Sequence, residues 1–205
     1  MDHSFFAYMY RLRYIRRWSL MRNVVEENVA EHSFHVAILT HLLCTVGNVV
    51  YGKQLSADKA VTMALFHDAT EVIVGDIPTP VKHQNPDILS NFREIERLAG
   101  ERLLDMVPVE LQPVYASLVE SKNASLPTDA DESERELRKI IKGADLLDAY
   151  LKCVTELAAG NREFAIAKGQ IEKSLMALHL PEIEYFLEHL APSFAQSLDE
   201  LAEDH

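Results

Sequence analysis

Histidine stands beside a carboxylate at five points of the chain, of which Glu31-His32 and His67-Asp68 fall in apolar helical stretches, and a further acid, Asp145, interrupts the apolar run Ile140-Ile141-Lys142-Gly143-Ala144-Asp145-Leu146-Leu147. Imidazole nitrogen and carboxylate oxygen together make a donor set for borderline divalent metals. His67-Asp68 follows Val61-Thr62-Met63-Ala64-Leu65-Phe66, which reads as the C-terminal part of an apolar helix. Adjacent helical residues point about 100° apart, so both side chains can reach one ion lodged between helices. Glu71, four residues after His67, falls one turn on along the same face, where it could transfer a proton without being needed as a ligand. A helix-end histidine beside a solvated aspartate would give the same dipeptide. Asp145 is costly on an apolar face unless it is paired or bound to a cation. A salt bridge to a neighbouring Lys or Arg would answer that, and Asp148 could be the buried acid instead.

The other seven of the nine histidines are plainer. His35 and His41 share a helix with His32 and read as satisfied core or surface residues. His83, beside Lys82 in a loop, could serve a second metal, but the expectation is a single ion and a solvated lysine. Residues 1–22 hold five Arg and one acid, a local +4 in a chain of net −12, which leaves −16 for the rest. A phosphate could be received there, since Arg17 offers a two-pronged donor to phosphate oxygens. Arg11, Arg13 and Arg16 read as a solvated basic face.

Helices must position these groups. Apolar residues recur at helical spacing throughout, and no run alternates as a strand would. The spacing predicts a first helix presenting Phe5, Met9, Leu12 and Ile15 on one face. Asn28-Val29-Ala30-Glu31 has the form of a capping box and opens a helix that would stop near Gly47-Asn48. Ser56 caps a helix from Ala57 to about Thr70. Gly75-Asp76-Ile77-Pro78-Thr79-Pro80 is expected to be a loop. Asn85-Pro86 restarts a helix to about Val107, and Pro108 and Pro113 punctuate a shorter one. Ser121 to Ser133 reads as a polar, acidic connection before a long helix from Glu134 to Ala159, closed by Gly160-Asn161. Helices over 162–178 and 181–203 complete an all-α single domain, 1–205, of seven or eight helices.

The bulk composition sets limits. With 205 residues, 48% hydrophobic, 25% charged, 7 Gly and 8 Pro, the chain can bury a core and is neither collagen-like nor disordered. Its net charge of −12 argues against binding a nucleic-acid polymer. Two cysteines, Cys44 and Cys153, read as reduced, buried thiols rather than a disulfide framework. The most apolar stretch, Val36 to Val50, is too short to span a bilayer and contains His41 and Asn48, so no membrane segment is expected. The N-terminus lacks a secretory pattern, and a cytoplasmic protein is expected.

His…His-Asp…Asp, as His32, His67, Asp68 and Asp145, resembles the metal signature of the HD-domain phosphohydrolase superfamily. The resemblance sharpens in Arg17-Trp18-Ser19-Leu20-Met21-Arg22-Asn23, Glu27-Asn28-Val29-Ala30-Glu31-His32-Ser33, His67-Asp68-Ala69-Thr70-Glu71-Val72 and Gly75-Asp76-Ile77-Pro78-Thr79-Pro80-Val81-Lys82. These segments, with Ala149-Tyr150-Leu151-Lys152-Cys153 and Pro192-Ser193-Phe194, are similar to the bacterial 5′-deoxynucleotidase family over essentially the whole chain. The segment 121–136 is longer and more acidic than the family pattern.

The resemblance implies that His32, His67, Asp68 and Asp145 bind one divalent ion: Co, Mn, Zn, Ni or Fe. It implies that Arg17 orients the substrate phosphate and that Trp18 crowds the sugar against a ribose 2′-hydroxyl. Asp76, Ile77, Pro78 and Thr79 would contact the deoxyribose, His32, Asp68 and Asp145 would border the substrate, and Glu71 would be the catalytic acid or base. The implied reaction is hydrolysis of deoxyribonucleoside 5′-monophosphates, by metal-activated water attacking phosphorus in line, in a homodimer. Two other readings keep the fold: a phosphodiesterase or triphosphohydrolase, and a non-catalytic nucleotide-binding module. The second would lack a ligand or Glu71, and none is missing.

Overall fold

The capping box forms as the sequence requires. Asn28 Oδ1 accepts from the backbone N–H of Ala30 and Glu31, both at 3.1 Å, and Glu31 Oε2 accepts from Asn28 N–H at 3.4 Å. A computed structural model describes residues 3–82, 84–119 and 132–203. His83 and positions 120–131, with most of the acidic connection, lie outside them. The α-helices are α1 (Phe5–Met9), α2 (Val29–Val50), α3 (Ala57–Phe66), α4 (Glu71–Val74), α5 (Thr79–Lys82) and α6 (Pro86–Asp105). They continue as α7 (Gln112–Val119), α8 (Glu132–Ala158), α9 (Ala165–Met176), α10 (Pro181–His189) and α11 (Leu198–Glu203). Among the described residues seven of these run eight residues or longer, where the spacing predicts seven or eight helices with the first, here only five residues, among them, and there is no strand, only an isolated antiparallel bridge between Arg16 and Asn28.

Several boundaries differ from expectation. The first helix gives way after Met9 to a 3₁₀ turn over Tyr10–Tyr14, so its apolar face ends early. Gly47 does not stop α2. A Cβ there would come within 2.8 Å of Leu55 Cδ1 and 2.9 Å of Glu182 Oε1, so glycine permits close packing and the helix continues to Val50. The resulting 22-residue helix is long and apolar enough to cross a membrane by composition, yet half of its most apolar window is buried inside the protein and it carries His32. That is the pattern of a core helix. The helix expected from Ala57 to Thr70 ends at Phe66, and the stretch 181–203 is broken by a 3₁₀ turn at Ala191–Ala195, where Pro192 cannot continue the ladder. In the expected loop after Gly75, Thr79-Pro80 opens the single turn of α5, with proline at a first-turn position.

The chain clusters into two compact units. The first comprises Met1–Leu20, Glu26–Phe34 and Thr62–Ala130. Its core is Phe5, Ala69, Leu103, Val107 and Val119, with Phe66, Val72, Ile73 and Tyr115 packed against it. Phe5 lies 5.3 Å from Tyr115 and stacks on Phe66 at 6.3 Å. Phe66 and Ala69 flank His67-Asp68 in sequence, so burial on both sides fixes where that dipeptide points.

The second unit comprises Met21–Val25, His35–Val61 and Asp131–His205. There α8 buries Leu137, Ile140, Ala144, Leu147 and Leu151, and a Cβ on Gly143 would come within 2.9 Å of Ile183 Cδ1, so glycine there permits close packing. Cys44 and Cys153 are free and buried, as expected of reduced thiols. Burial, reinforced by Glu182 and Glu136, pushes the Cys44 thiol up to about 11.

Candidate metal centre and its surroundings

Where α3 ends, the chain does not continue as α-helix. His67 N–H reaches back to Ala64 C=O at 3.3 Å, Ala69 N–H to Phe66 C=O at 2.9 Å and Glu71 N–H to Asp68 C=O at 3.0 Å, all three-residue steps. This tighter winding re-aims each side chain, so the same-face argument for His67 and Glu71 does not hold. Glu71 instead opens α4 and is buried there, 4% exposed.

The turn brings His67 and Asp68 onto His32 from the first turn of α2. His67 Nε2 lies 3.2 Å from His32 Nε2 and 3.1 Å from Asp68 Oδ2, and His32 Nε2 lies 3.4 Å from the same oxygen. All three residues are nearly or wholly removed from solvent. Ligands about 2.1 Å from one ion stand roughly 3.0 to 3.4 Å apart in octahedral to tetrahedral arrangements, so the separations fit one divalent cation. The protonation pattern also fits. His67 Nδ1 is 2.7 Å from Ala64 C=O, which can only accept, so Nδ1 carries a proton and in the neutral imidazole Nε2 is left as the nitrogen that can ligate. Two imidazole nitrogens and a carboxylate oxygen converging at a buried point are a donor set for a cation.

Arg17 stands beside this cluster. Its Nη1 is 4.0 Å from Asp68 Oδ2 and its Nε donates to Glu27 Oε1 at 2.5 Å. The backbone holds the same register: Arg17 N–H donates to Glu27 C=O at 3.0 Å and Val29 N–H to Ile15 C=O at 3.0 Å, around the Arg16–Asn28 bridge. Residues 17–27 thus leave and return at one place. Trp18, the next residue, has φ 56°, a left-handed conformation uncommon for a bulky side chain and one that neighbouring structure must hold.

On the other flank, Gly75 at φ 77° ends α4, a backbone angle that favours glycine. Asp76, Ile77 and Pro78 follow as half-buried coil, and Thr79 opens α5. Lys82 is not solvated. Its Nζ lies 3.1 Å from Oε1 of Glu96 on α6, a residue only 5% exposed.

Asp145 belongs to the second unit. There it forms the salt bridge left open by the sequence, with Lys142 Nζ at 2.9 Å, while Asp148 is the more buried acid and lies 3.4 Å from His35 Nδ1. His35 is thus a surface histidine beside an acid, in keeping with the expectation of a satisfied residue. Three of the four expected ligands, His32, His67 and Asp68, are brought together within the first unit.

Sequence reasoning assigned no role to Glu27, Glu96 or Glu156. Glu96 carried a signal: with Phe92, Ala99 and Leu103 it occupies the apolar stripe of α6, where a carboxylate needs a partner. Glu27 carried none at short range, because its partner Arg17 is ten residues away, and Glu156 showed only Lys152 four residues before it, its backbone partners Val24 and Val25 being more than a hundred residues away.

The chain resembles known proteins over its full length. A model of the YfbR-like 5′-deoxynucleotidases matches residues 4–194. The 5′-deoxynucleotidase YfbR of Escherichia coli O1:K1 / APEC is 46% identical over 200 residues, covering 98% of this chain and 96% of that protein. A 5′-deoxynucleotidase of Klebsiella pneumoniae (strain 342) is 44% identical over the same shares. Among solved structures, an HD-domain phosphohydrolase from Listeria innocua superposes with TM-score 0.78 at 23% identity, over 98% of this chain and 96% of that one. A cyanophage S-2L HD phosphohydrolase, DatZ, bound to dA and one catalytic Zn²⁺, superposes with TM-score 0.59 at 21% identity, over 91% and 96%. These two share the fold.

Proposed function

The chain belongs to the YfbR-like 5′-deoxynucleotidase family, and from that premise we propose how its residues divide the work. It is a phosphoric monoester hydrolase of the HD-domain fold, acting on deoxyribonucleoside 5′-monophosphates. The observation that carries the site assignment is the convergence of His32 Nε2, His67 Nε2 and Asp68 Oδ2 within 3.4 Å of one another. These three hold one divalent ion and Asp145 is the fourth ligand. Lys142, half exposed, can leave Asp145 at little cost. The ion supplies a water of lowered pKa and offsets charge on the phosphoryl oxygens.

The remaining roles fall to the chain's own side chains. Glu27 on Nε fixes the plane of the Arg17 guanidinium, and its Nη edge orients the phosphate. Glu71 moves the proton for the leaving 5′-oxygen. Trp18, locked by its backbone, crowds the sugar where a 2′-hydroxyl would project. Asp76, Ile77, Pro78 and Thr79 line the deoxyribose, and His32, Asp68 and Asp145 border the substrate as well as the ion. The donor set suits Co, Mn, Zn, Ni or Fe. One family model spanning 4–194 supports reading 1–205 as a single domain. The protein is further read as a cytoplasmic homodimer that engages neither a membrane nor a nucleic-acid polymer.

The test is phosphate release from dAMP, AMP, dATP and a bis-ester in parallel, after EDTA treatment and re-addition of Co²⁺, Mn²⁺, Mg²⁺ or Zn²⁺. Metal-dependent release from dAMP but not AMP is expected. Release only from dATP or the bis-ester would move the chemistry to another nucleotide, and no release from a folded, metal-binding protein would overturn the reading.

A further inference from the structure

Glu96 sits in the middle of α6, on the stripe that otherwise buries Ala99, Gly100 and Leu103, and its side chain is 7% exposed. A carboxylate in that position is costly. Replacing a buried ion pair by apolar residues of similar volume is often neutral or stabilising, so stability alone does not account for one. What Glu96 holds is informative. Lys82, 18% exposed at the side chain, reaches it at 3.1 Å and is the last residue of α5. Among the described residues the backbone bonds of the segment from Gly75 to Lys82 gather at its two ends: Gly75 N–H to Glu71 C=O at 2.7 Å at its start, and Val81 and Lys82 N–H to Pro78 C=O at 2.9 and 3.2 Å and Gln84 N–H to Val81 C=O at 3.4 Å near its end. Asp76, Ile77 and Pro78 lie between, in coil. The start is thus fixed to the turn that carries Glu71, and the end is fixed to α6 through Lys82–Glu96.

We propose that Glu96 is a positioning residue for nucleotide recognition, holding Lys82 and through it the Gly75–Lys82 segment at the distance from α4 that the sugar contacts require. This rests on the assignment of Asp76, Ile77 and Pro78 to the deoxyribose. Glu96 does not touch the substrate. Its charge pins one end of a segment whose other end belongs to the catalytic turn, so loosening it changes how the sugar is gripped while leaving the proton-transfer and metal groups in place.

The experiment uses metal-loaded full-length protein, with Glu96→Gln, Lys82→Met and the double variant measured beside the wild type on dAMP and AMP. Each single variant is expected to raise KM for dAMP about tenfold, with kcat within about threefold, because misplaced binding groups weaken the grip more than the chemistry. The dAMP-to-AMP ratio falls with it. The double variant resembles either single rather than their product, since both break one link. Co²⁺ stoichiometry stays at the wild-type value, and Glu96→Asp, which keeps the charge, recovers part of the KM. A lowered melting temperature with unchanged KM and sugar ratio would overturn the proposal and leave the pair a brace of the fold. Multiplying effects in the double variant would overturn it too. If Glu96→Gln does not fold, Lys82→Met alone decides by the same KM and ratio. Wild-type hydrolysis of dAMP separates the two levels: no release overturns the deoxynucleotidase reading itself, whereas release with unaltered KM in the variants overturns only the positioning role.

Discussion

Two buried carboxylates, one in each unit, are surrounded in opposite ways. Glu156, 2% exposed on α8, receives Val24 N–H at 2.9 Å, Val25 N–H at 3.2 Å, the Asn161 amide at 2.8 Å and the Lys152 ammonium at 2.5 Å. Lys152 also donates to Val25 C=O, and the Asn161 amide to Arg22 C=O at 2.7 Å. Every one of these partners gives a proton to an oxygen, so the acid is matched by the chain itself and fastens residues 22–25 to α8. Asp68, 1% exposed, instead lies 3.1 Å from His67 Nε2 and 3.4 Å from His32 Nε2, with an arginine nitrogen 4.0 Å away. Burial alone therefore does not mark a functional acid. The groups around it distinguish the two: backbone, amide and ammonium donors brace Glu156, whereas imidazole nitrogens gather at Asp68 in a set whose chemistry suits a cation.

The sharpest way to break that contrast is to neutralise each acid with its own amide. Asp68→Asn takes away the carboxylate proposed as a metal donor and is expected to lower dAMP hydrolysis by on the order of 10³-fold or more, while the melting temperature in EDTA stays near wild type. Added Co²⁺ should raise the wild-type melting temperature, by up to about 2.7 kcal/mol of stability at a hundred times Kd, and leave the variant unmoved. A variant that still binds Co²⁺ as tightly as wild type would remove Asp68 from the site.

Glu156→Gln should do the reverse. Losing one partner of a buried pair costs about 3 to 5 kcal/mol, read as a lowered urea midpoint, with activity per folded molecule within a few-fold of wild type. Acid reports on the same group. Burial by itself would raise the Glu156 pKa, but the Lys152 ammonium, Val24 N–H, Asn161 amide and Val25 N–H outweigh it and hold the carboxyl at about 2. A folded pKa below the unfolded one contributes stability that is complete above about pH 4.5 and is lost as pH falls toward 2, on the order of 3 kcal/mol. Denaturant midpoints taken down that range should fall steeply for wild type and more shallowly for Glu156→Gln. Parallel curves would show that other groups drive acid unfolding.

What could be read without a structure follows the range of the interactions. The capping box at Asn28, the Asn85-Pro86 start of α6 and the Gly160 end of α8 are fixed by neighbours within four residues, and all three form as spacing predicts. The end of α3 was missed because nothing local stops it: Val61 to Thr70 has no breaker, and the chain tightens where Phe66 and Ala69 must both reach a core that includes Phe5 and Leu103. That tightening defeats the helical placement of Glu71, which the sequence spacing sets one turn on along the face of His67. His32 and His67 could be paired because their motifs name them, whereas Glu27 and Glu156 could not, since their value depends on which distant amides and guanidinium they meet.

The smallest expected effect tests where the second unit contributes. Asp145 and Asp148 lie three residues apart on α8, one half-buried and paired with Lys142, the other buried and beside His35. Neutralising a ligand should weaken metal binding by at least about 10- to 100-fold, the loss found for groups that merely orient ligands. Asp145→Asn is therefore expected to lower Co²⁺ affinity in that way, and Asp148→Asn to leave it within about threefold while shifting stability. Titration of each variant with Co²⁺, followed by its visible absorption, reads the affinity directly and independently of turnover. The opposite ranking would transfer the fourth ligand to Asp148 and make Asp145–Lys142 an ordinary surface pair. Equal, small losses would confine the site to His32, His67 and Asp68, all of them in the first unit.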